Sequence, residues 1–152
     1  MTRRILLEPD PILRKKCEPV EDVNDELRNL MKDMLETMYK APGIGLAAIQ
    51  VGVLKRVLVI DISKDNQKKS PLFIVNPEIT YRSKETSVYE EGCLSLPGQF
   101  AEIERPAKVD LKYLNFDGKR KELKADGLLA TCIQHEVDHL DAVSYTHLTL
   151  PT

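Results

Sequence analysis

The sequence has no long hydrophobic run. No stretch approaches the roughly 20 apolar residues of a membrane-spanning helix. The apolar start Ile5-Leu6-Leu7 stops at Glu8 and Pro9, too soon for the hydrophobic region of a secretory signal. The sequence also lacks an excess of one charge. Against 22 Lys plus Arg stand 24 Asp plus Glu, for a formal charge of −2. Such a balance excludes a strong electrostatic pull toward nucleic acid or an anionic membrane. The scattered charges read as a solvated surface. Cysteine is scarce, with Cys17, Cys93 and Cys132 far apart and odd in number. That excludes a self-contained disulfide framework and points to a reducing compartment, with the cytoplasm as the expected location. No internal repeat or low-complexity linker divides the 152 residues, which fit one domain.

What is present is ordinary for a globular protein: 42% hydrophobic and 30% charged residues. Ile12-Leu13-Arg14 reads as a short helical turn after Pro9-Asp10-Pro11. Leu27, Leu30, Met31, Met34, Leu35 and Met38 recur at helical spacing and predict a helix over 25–39, with Asn24 or Asp25 as N-cap. Its methionines read as core rather than as a binding groove. Arg56 to Ile62 is an apolar, β-branched run that predicts a buried strand. A polar loop over 65–70 precedes strands at 72–75 and 79–81, broken by Asn76-Pro77. Residues 101–105 alternate weakly. Val109, Leu111 and Tyr113 alternate well, and Asp117-Gly118 signals a hairpin into 119–124. A last helix is expected over 127–140, with Asp126 as its cap. Strands in the middle and helices at both ends predict an α+β fold of mainly antiparallel sheets, the first helix packed on the sheet.

The strongest chemical signal lies in that last helix. Gln134-His135-Glu136-Val137-Asp138-His139 contains His-Glu-x-x-His. Residues four apart share one helix face, so both imidazoles can reach one metal ion, and the glutamate lies beside it as a general base for water. The opposing reading is two surface histidines and a solvated acid. Ile133, Val137 and Leu140 surround the motif with apolar side chains and argue against it, since unpaired buried polar groups are costly. A catalytic site of this kind needs a third protein ligand. Cys93, in the turn-like Glu90 to Pro97 stretch, is the first candidate, because a thiolate suits borderline-soft ions. Spacing alone leaves Cys132 and Cys17 in competition with it.

Three separated segments resemble one family. Gly43-Ile44-Gly45-Leu46-Ala47-Ala48-Ile49-Gln50 is similar to the first motif of the peptide deformylases, Glu91-Gly92-Cys93-Leu94-Ser95 to the second, and Gln134 to Leu140 to the third. Order and spacing agree, and the opening Ile5 to Arg14 is similar too. The resemblance implies a hydrolase that removes the formyl group from the N-terminal formyl-methionine of newly made proteins. It implies Cys93, His135 and His139 as ligands of one divalent ion, commonly ferrous iron, with zinc, nickel or cobalt as replacements. It implies Glu136 as proton carrier, and Gln50 with the Leu94 backbone N–H at the oxyanion. Gly43, Ile44 and Gly45 would run beside an extended peptide substrate. N-formyl-methionyl nascent chains, and transiently the ribosome, are the implied partners. Asp138 is expected to pair with Arg105, and Ser95 to cap or turn the backbone.

After Asp141 the resemblance stops. The family pattern expects a glycine where Ala142 stands. The chain is accordingly read as a catalytic domain over 1–142 and an atypical tail over 143–152, whose His147 is not expected to be a ligand. Two other functions compete. One is a zinc metalloprotease using the same His-Glu-x-x-His, which would need a third ligand downstream. The other is a binding module that recognises peptide N-termini without catalysis.

Overall fold

The computed structural model describes residues 1–64 and 67–141. The tail over 143–152, His147 included, lies outside the described residues, as do Asp65 and Asn66 of the polar loop.

Asn24 sits in extended backbone, and its side chain accepts a hydrogen bond from the Leu27 N–H at 2.9 Å, so Asn24 is the N-cap of α1 (Asp25–Lys40). Asp25 and Glu26 in the first turn and Lys40 in the last complement the helix dipole. The expected stripe is buried at Leu27, Leu30, Met31, Met34 and Met38, while Leu35 is half-buried. These residues are core, as their spacing predicted.

The stripe packs on one face of a five-stranded antiparallel sheet. Its strands are β1 (Gly45–Ala47), β2 (Val57–Ile60), β3 (Leu72–Arg82), β6 (Lys108–Leu114) and β7 (Arg120–Asp126), adjacent in the order β1-β2-β3-β6-β7. Between β3 and β6 the chain leaves the sheet and forms a separate two-stranded ribbon of β4 (Thr86–Cys93) and β5 (Leu96–Pro106). Strand β2 shows why its sequence is apolar without alternation. Val57 and Val59 pack with the α1 stripe, and Leu58 and Ile60 pack with the second helix, α2 (Gly127–Leu140), on the other face. A strand covered on both sides needs no polar face. The α+β class, the mainly antiparallel sheets and the helices at both ends all agree with expectation.

Three local expectations need correction. The strands at 72–75 and 79–81 are one strand, β3, with a register shift between Val75 and Glu78. Asn76 takes a positive φ of 51° there, and its side chain exchanges hydrogen bonds of 2.7 and 2.8 Å with the Val20 backbone. Pro77 lacks a ladder donor and is accommodated at this bulge. The second correction concerns β4 and β5, of which only 101–105 was anticipated. A ribbon wetted on one face and rich in glutamate carries little hydrophobic period. Third, Asp126 occupies the cap position of α2 in extended backbone, but its side chain makes no capping hydrogen bond.

Beside α1, Asp61 holds the segment that follows β2. It accepts hydrogen bonds from the Tyr39 hydroxyl and from the Ser63 and Ser70 N–H groups. Burial alone would raise its pKa, but the hydrogen bonds from Ser63, Tyr39 and Ser70 outweigh it and hold the carboxyl below its usual value of 3.8. A depressed carboxylate stabilises the fold above the unfolded value and loses that contribution as pH falls through the folded one. Urea unfolding at pH 6 and pH 3 should therefore show an acid-dependent loss of stability that is smaller in Asp61→Asn.

Candidate metal centre

From Ala130 onward α2 is almost wholly buried, including His135, Glu136 and His139. The i, i+4 spacing places the two imidazoles one turn apart, with ring centroids 5.1 Å apart and nearly perpendicular. Cys93 arrives from the end of β4. One ligand atom from each of Cys93, His135 and His139 lies within 4.8 Å of the others, and Cys93 Sγ is 3.3 Å from His139 Nε2. The structure thus decides among the cysteines. Cys17 lies in the core, its N–H bonded to the Leu140 carbonyl. Cys132 is buried one turn before His135, in the wall of the adjoining cavity and outside the ligand group.

A charged scaffold orients the set. Glu91 precedes Cys93 by two on β4, so both side chains leave the same strand face. Its Oε1 lies 3.0 Å from His135 Nδ1, which directs Nε2 of that ring toward the ligand position. Arg105, from β5, grips Glu91 through two hydrogen bonds of 2.7 and 2.9 Å and reaches Asp138 on α2 at 2.8 Å. The expected Arg105–Asp138 pair is present, and it belongs to a larger chain. Arg105 clamps the ribbon to the helix, fixing Cys93 relative to the two histidines. Glu91 was the residue that sequence reasoning left without a role. Its signal was its parity with Cys93, together with the need of a metal-binding histidine for an outer acceptor.

The electrostatics fit a cation. Burial works against charge on both rings and takes His139 down to about 3. At His135 the same burial is overcome by hydrogen bonds to Cys93 and Glu91 and by the charge of Glu136, which raise it to about 10. The acidic groups that raise His135 would equally favour a cation held at this position. Glu136 is pushed up to about 7, chiefly by burial, with His135 opposing and Glu91 assisting. Its Oε1 is buried with no hydrogen-bond partner among the described residues. An orphaned carboxylate oxygen beside a cysteine and two imidazoles is what a base serving an incoming water requires. A thiolate with two neutral imidazoles suits a divalent first-row ion.

Gln50 stands opposite α2, in a 3-10 turn (Ala48–Val51) after β1. Its Oε1 accepts from the Ala47 N–H at 2.9 Å, which turns Nε2 toward Cys93 Sγ at 3.4 Å and Ser95 Oγ at 3.2 Å. Ser95 therefore does more than turn the backbone: it helps fix the Gln50 amide. Gly43, Ile44, Gly45 and Leu94 border a cavity of about 670 Å³ that opens onto Cys93, His135 and Glu136. Among the described residues β1 is the outermost strand of its sheet and pairs only with β2, which leaves its other edge available to an extended chain.

Gly45 has no room for a side chain. A Cβ there would lie 2.5 Å from Glu136 Oε2 and 3.0 Å from Cys132 Sγ. Gly45→Ala should displace the Glu136 carboxylate and lower turnover by about 10²-fold, the usual cost of misplacing a reacting group by about an ångström. Metal content should be unchanged, as elemental analysis can check.

The chain has close relatives. A family model described as polypeptide deformylase matches residues 2–150. The peptide deformylase of Pelagibacter ubique is 61% identical over 143 residues, covering 94% of this chain and 83% of that protein. Among solved structures, the peptide deformylase from Thermotoga maritima superposes with a TM-score of 0.90 at 41% identity, covering 97% of each chain. A Met-Ala-Ser bound class I type b peptide deformylase from Acinetobacter baumannii gives 0.90 at 32% identity, covering 97% of this chain and 98% of that one. A cysteine and two histidines gathered beside the outermost strand of the sheet, within a fold shared along nearly its whole length, place this chain in the peptide deformylase family.

Proposed function

We propose that the chain hydrolyses the formamide bond of N-terminal formyl-methionine in newly made proteins, releasing formate. The observation that carries this is the junction of the Cys93, His135 and His139 set with the free edge of β1 across one cavity. An ion held by these three residues supplies Lewis-acid polarisation and a lowered pKa for water. Glu136 takes a proton from the attacking water as its oxygen bonds to the formyl carbon. It then delivers the proton to the departing amine as the carbon–nitrogen bond breaks. The Gln50 amide, locked by Ala47 and Ser95, and the Leu94 N–H donate hydrogen bonds where the carbonyl oxygen gains charge. Gly43, Ile44 and Gly45 hold the peptide as an added strand, which leaves room for the first side chain in the cavity.

The ion we propose is ferrous iron, with zinc, nickel or cobalt able to replace it, because the mixed sulfur and nitrogen donors suit all four. An iron thiolate is open to oxidation, so the iron-loaded protein should lose activity within hours in air while the zinc form keeps it. We place the catalytic unit in residues 1–142 and leave the tail over 143–152 outside it, since the site residues run from Gly43 to His139. Nascent chains as substrates favour action in the cytoplasm and transient contact with the ribosome. No helix among the described residues is long and apolar enough to cross a membrane.

The deciding experiment offers the metal-loaded protein formyl-Met-Ala-Ser and an unformylated peptide of similar length. Formate release from the first with no internal cleavage of the second supports the reading. Internal cleavage without formate release would establish a protease instead.

A further inference from the structure

The chain before Pro11 forms no helix or strand, yet it crosses the site and bonds to both of its sides. Ile5 and Leu7 border the cavity. The Leu6 N–H donates to the Gln50 carbonyl at 2.7 Å, and the Glu8 N–H donates to the Ser95 carbonyl at 2.8 Å. Gln50 and Ser95 are each 1% exposed. The segment is fastened on either side of these two bonds. The Arg3 N–H donates to Thr37 Oγ1 on α1 at 2.8 Å, and the Arg3 guanidinium reaches Asp33 at 3.1 Å. Arg14 holds the Glu8 carboxylate at 2.9 Å.

A buried carbonyl needs a donor. Around the turn over Ala48–Val51, the Val53 and Gly52 N–H groups satisfy the Ala48 and Ile49 carbonyls, and the Gln50 carbonyl is met from outside the turn, by Leu6. Ser95 lies in the bend between β4 and β5, directly after Leu94. The turn follows the five-stranded sheet and carries the Gln50 amide. The bend belongs to the ribbon and carries the Leu94 N–H. The two donors proposed for the oxyanion thus come from separate sheets, and one segment bonded to both sets their spacing. We propose that residues 5–8 are a positioning strap that holds the Gln50 amide and the Leu94 N–H in register for the oxyanion, with the Leu6 N–H as a positioning group. Leu6 acts through Gln50 and touches no reacting atom. Such donors work only when aimed at the point where charge develops. The inference rests on the deformylase reading and deepens it.

The test measures kcat and KM for formate release from formyl-Met-Ala-Ser, per metal ion bound. Leu6→Pro removes the donor, and Leu6→Ala keeps it. The 2-hydroxy acid analogue of leucine at position 6 puts an oxygen in place of the N–H and keeps the side chain, which covers a proline variant that does not fold. Each change is also made in Gln50→Ala. Loss of the donor should lower kcat about tenfold, a fraction of the roughly 10²-fold that follows a full ångström of misplacement, with KM within about threefold. Leu6→Ala should stay within about twofold of the unaltered chain in kcat, since its N–H is intact. In Gln50→Ala the loss should shrink to about threefold or less, because one of the two groups being positioned is already gone. Unchanged kcat without the donor, an equal loss in Leu6→Ala, or an undiminished loss in Gln50→Ala overturns the proposal while the deformylase reading stands. No formate from formyl-Met-Ala-Ser in the unaltered chain overturns both.

Discussion

Glu136→Gln should lower formate release from a formylated peptide by about 10³-fold, the usual contribution of a positioned proton carrier. Glutamine keeps the shape of the buried side chain but cannot carry the proton. Cys93, His135 and His139 are untouched, so elemental analysis should find the metal still bound. The residue is 4% exposed and one of its oxygens has no partner among the described residues, which assign it no structural hydrogen bond at that atom. Burial raises its pKa to about 7. The base must be deprotonated to act, so kcat/KM should rise with pH along an acid limb that ends in or below that region. A divalent ion favours the charged form and draws the limb downward. Glu136→Ala should lose as much activity. Full activity in either variant would remove Glu136 from the proton path.

Glu91→Ala should cost about 3 kcal/mol of stability, because it removes the buried carboxylate that takes two hydrogen bonds from the largely buried Arg105 guanidinium. It should also weaken metal binding by about 10- to 100-fold, since His135 loses the acceptor that fixes its ring. The carboxyl is held below its usual range. Burial would raise it, but hydrogen bonds and charge from His135 and Arg105 outweigh that. A lowered folded-state value means stability present above the ordinary carboxylate pKa and lost as pH falls through the folded one. Glu91→Gln, with the shape but not the charge, should fall between the two. Denaturant melts and a metal titration read both effects. Unchanged midpoints and affinity in Glu91→Ala would show that Arg105 and His135 are held by other means.

The two helices were legible because each carries its evidence locally. The α1 stripe repeats at helical spacing behind the Asn24 cap, and α2 holds both histidines one turn apart. Strand β2 and the β6–β7 hairpin were legible for similar reasons, the first from its apolar run and the second from alternation and the turn at Gly118. The ribbon was not. Strands β4 and β5 are largely polar, and what holds them is Arg105 reaching from β5 to Glu91 and Asp138, contacts of 14 and 33 residues' separation. Nothing in a local window registers such a clamp.

His135, Glu136 and His139 were fixed by helical geometry alone. The sequence determined this part of the site because spacing along a helix is spacing in space. Cys93 was different. From composition and spacing it was one of three cysteines, and only resemblance singled it out. The tertiary structure decided the matter by bringing β4 against α2, setting Cys93 beside His139 and leaving Cys17 and Cys132 elsewhere. It alone gave Glu91 its role and set the Gln50 amide. Each of these depends on which buried group faces which across different elements. Burial makes those pairings strong, and the chain's path through the ribbon makes them distant in sequence.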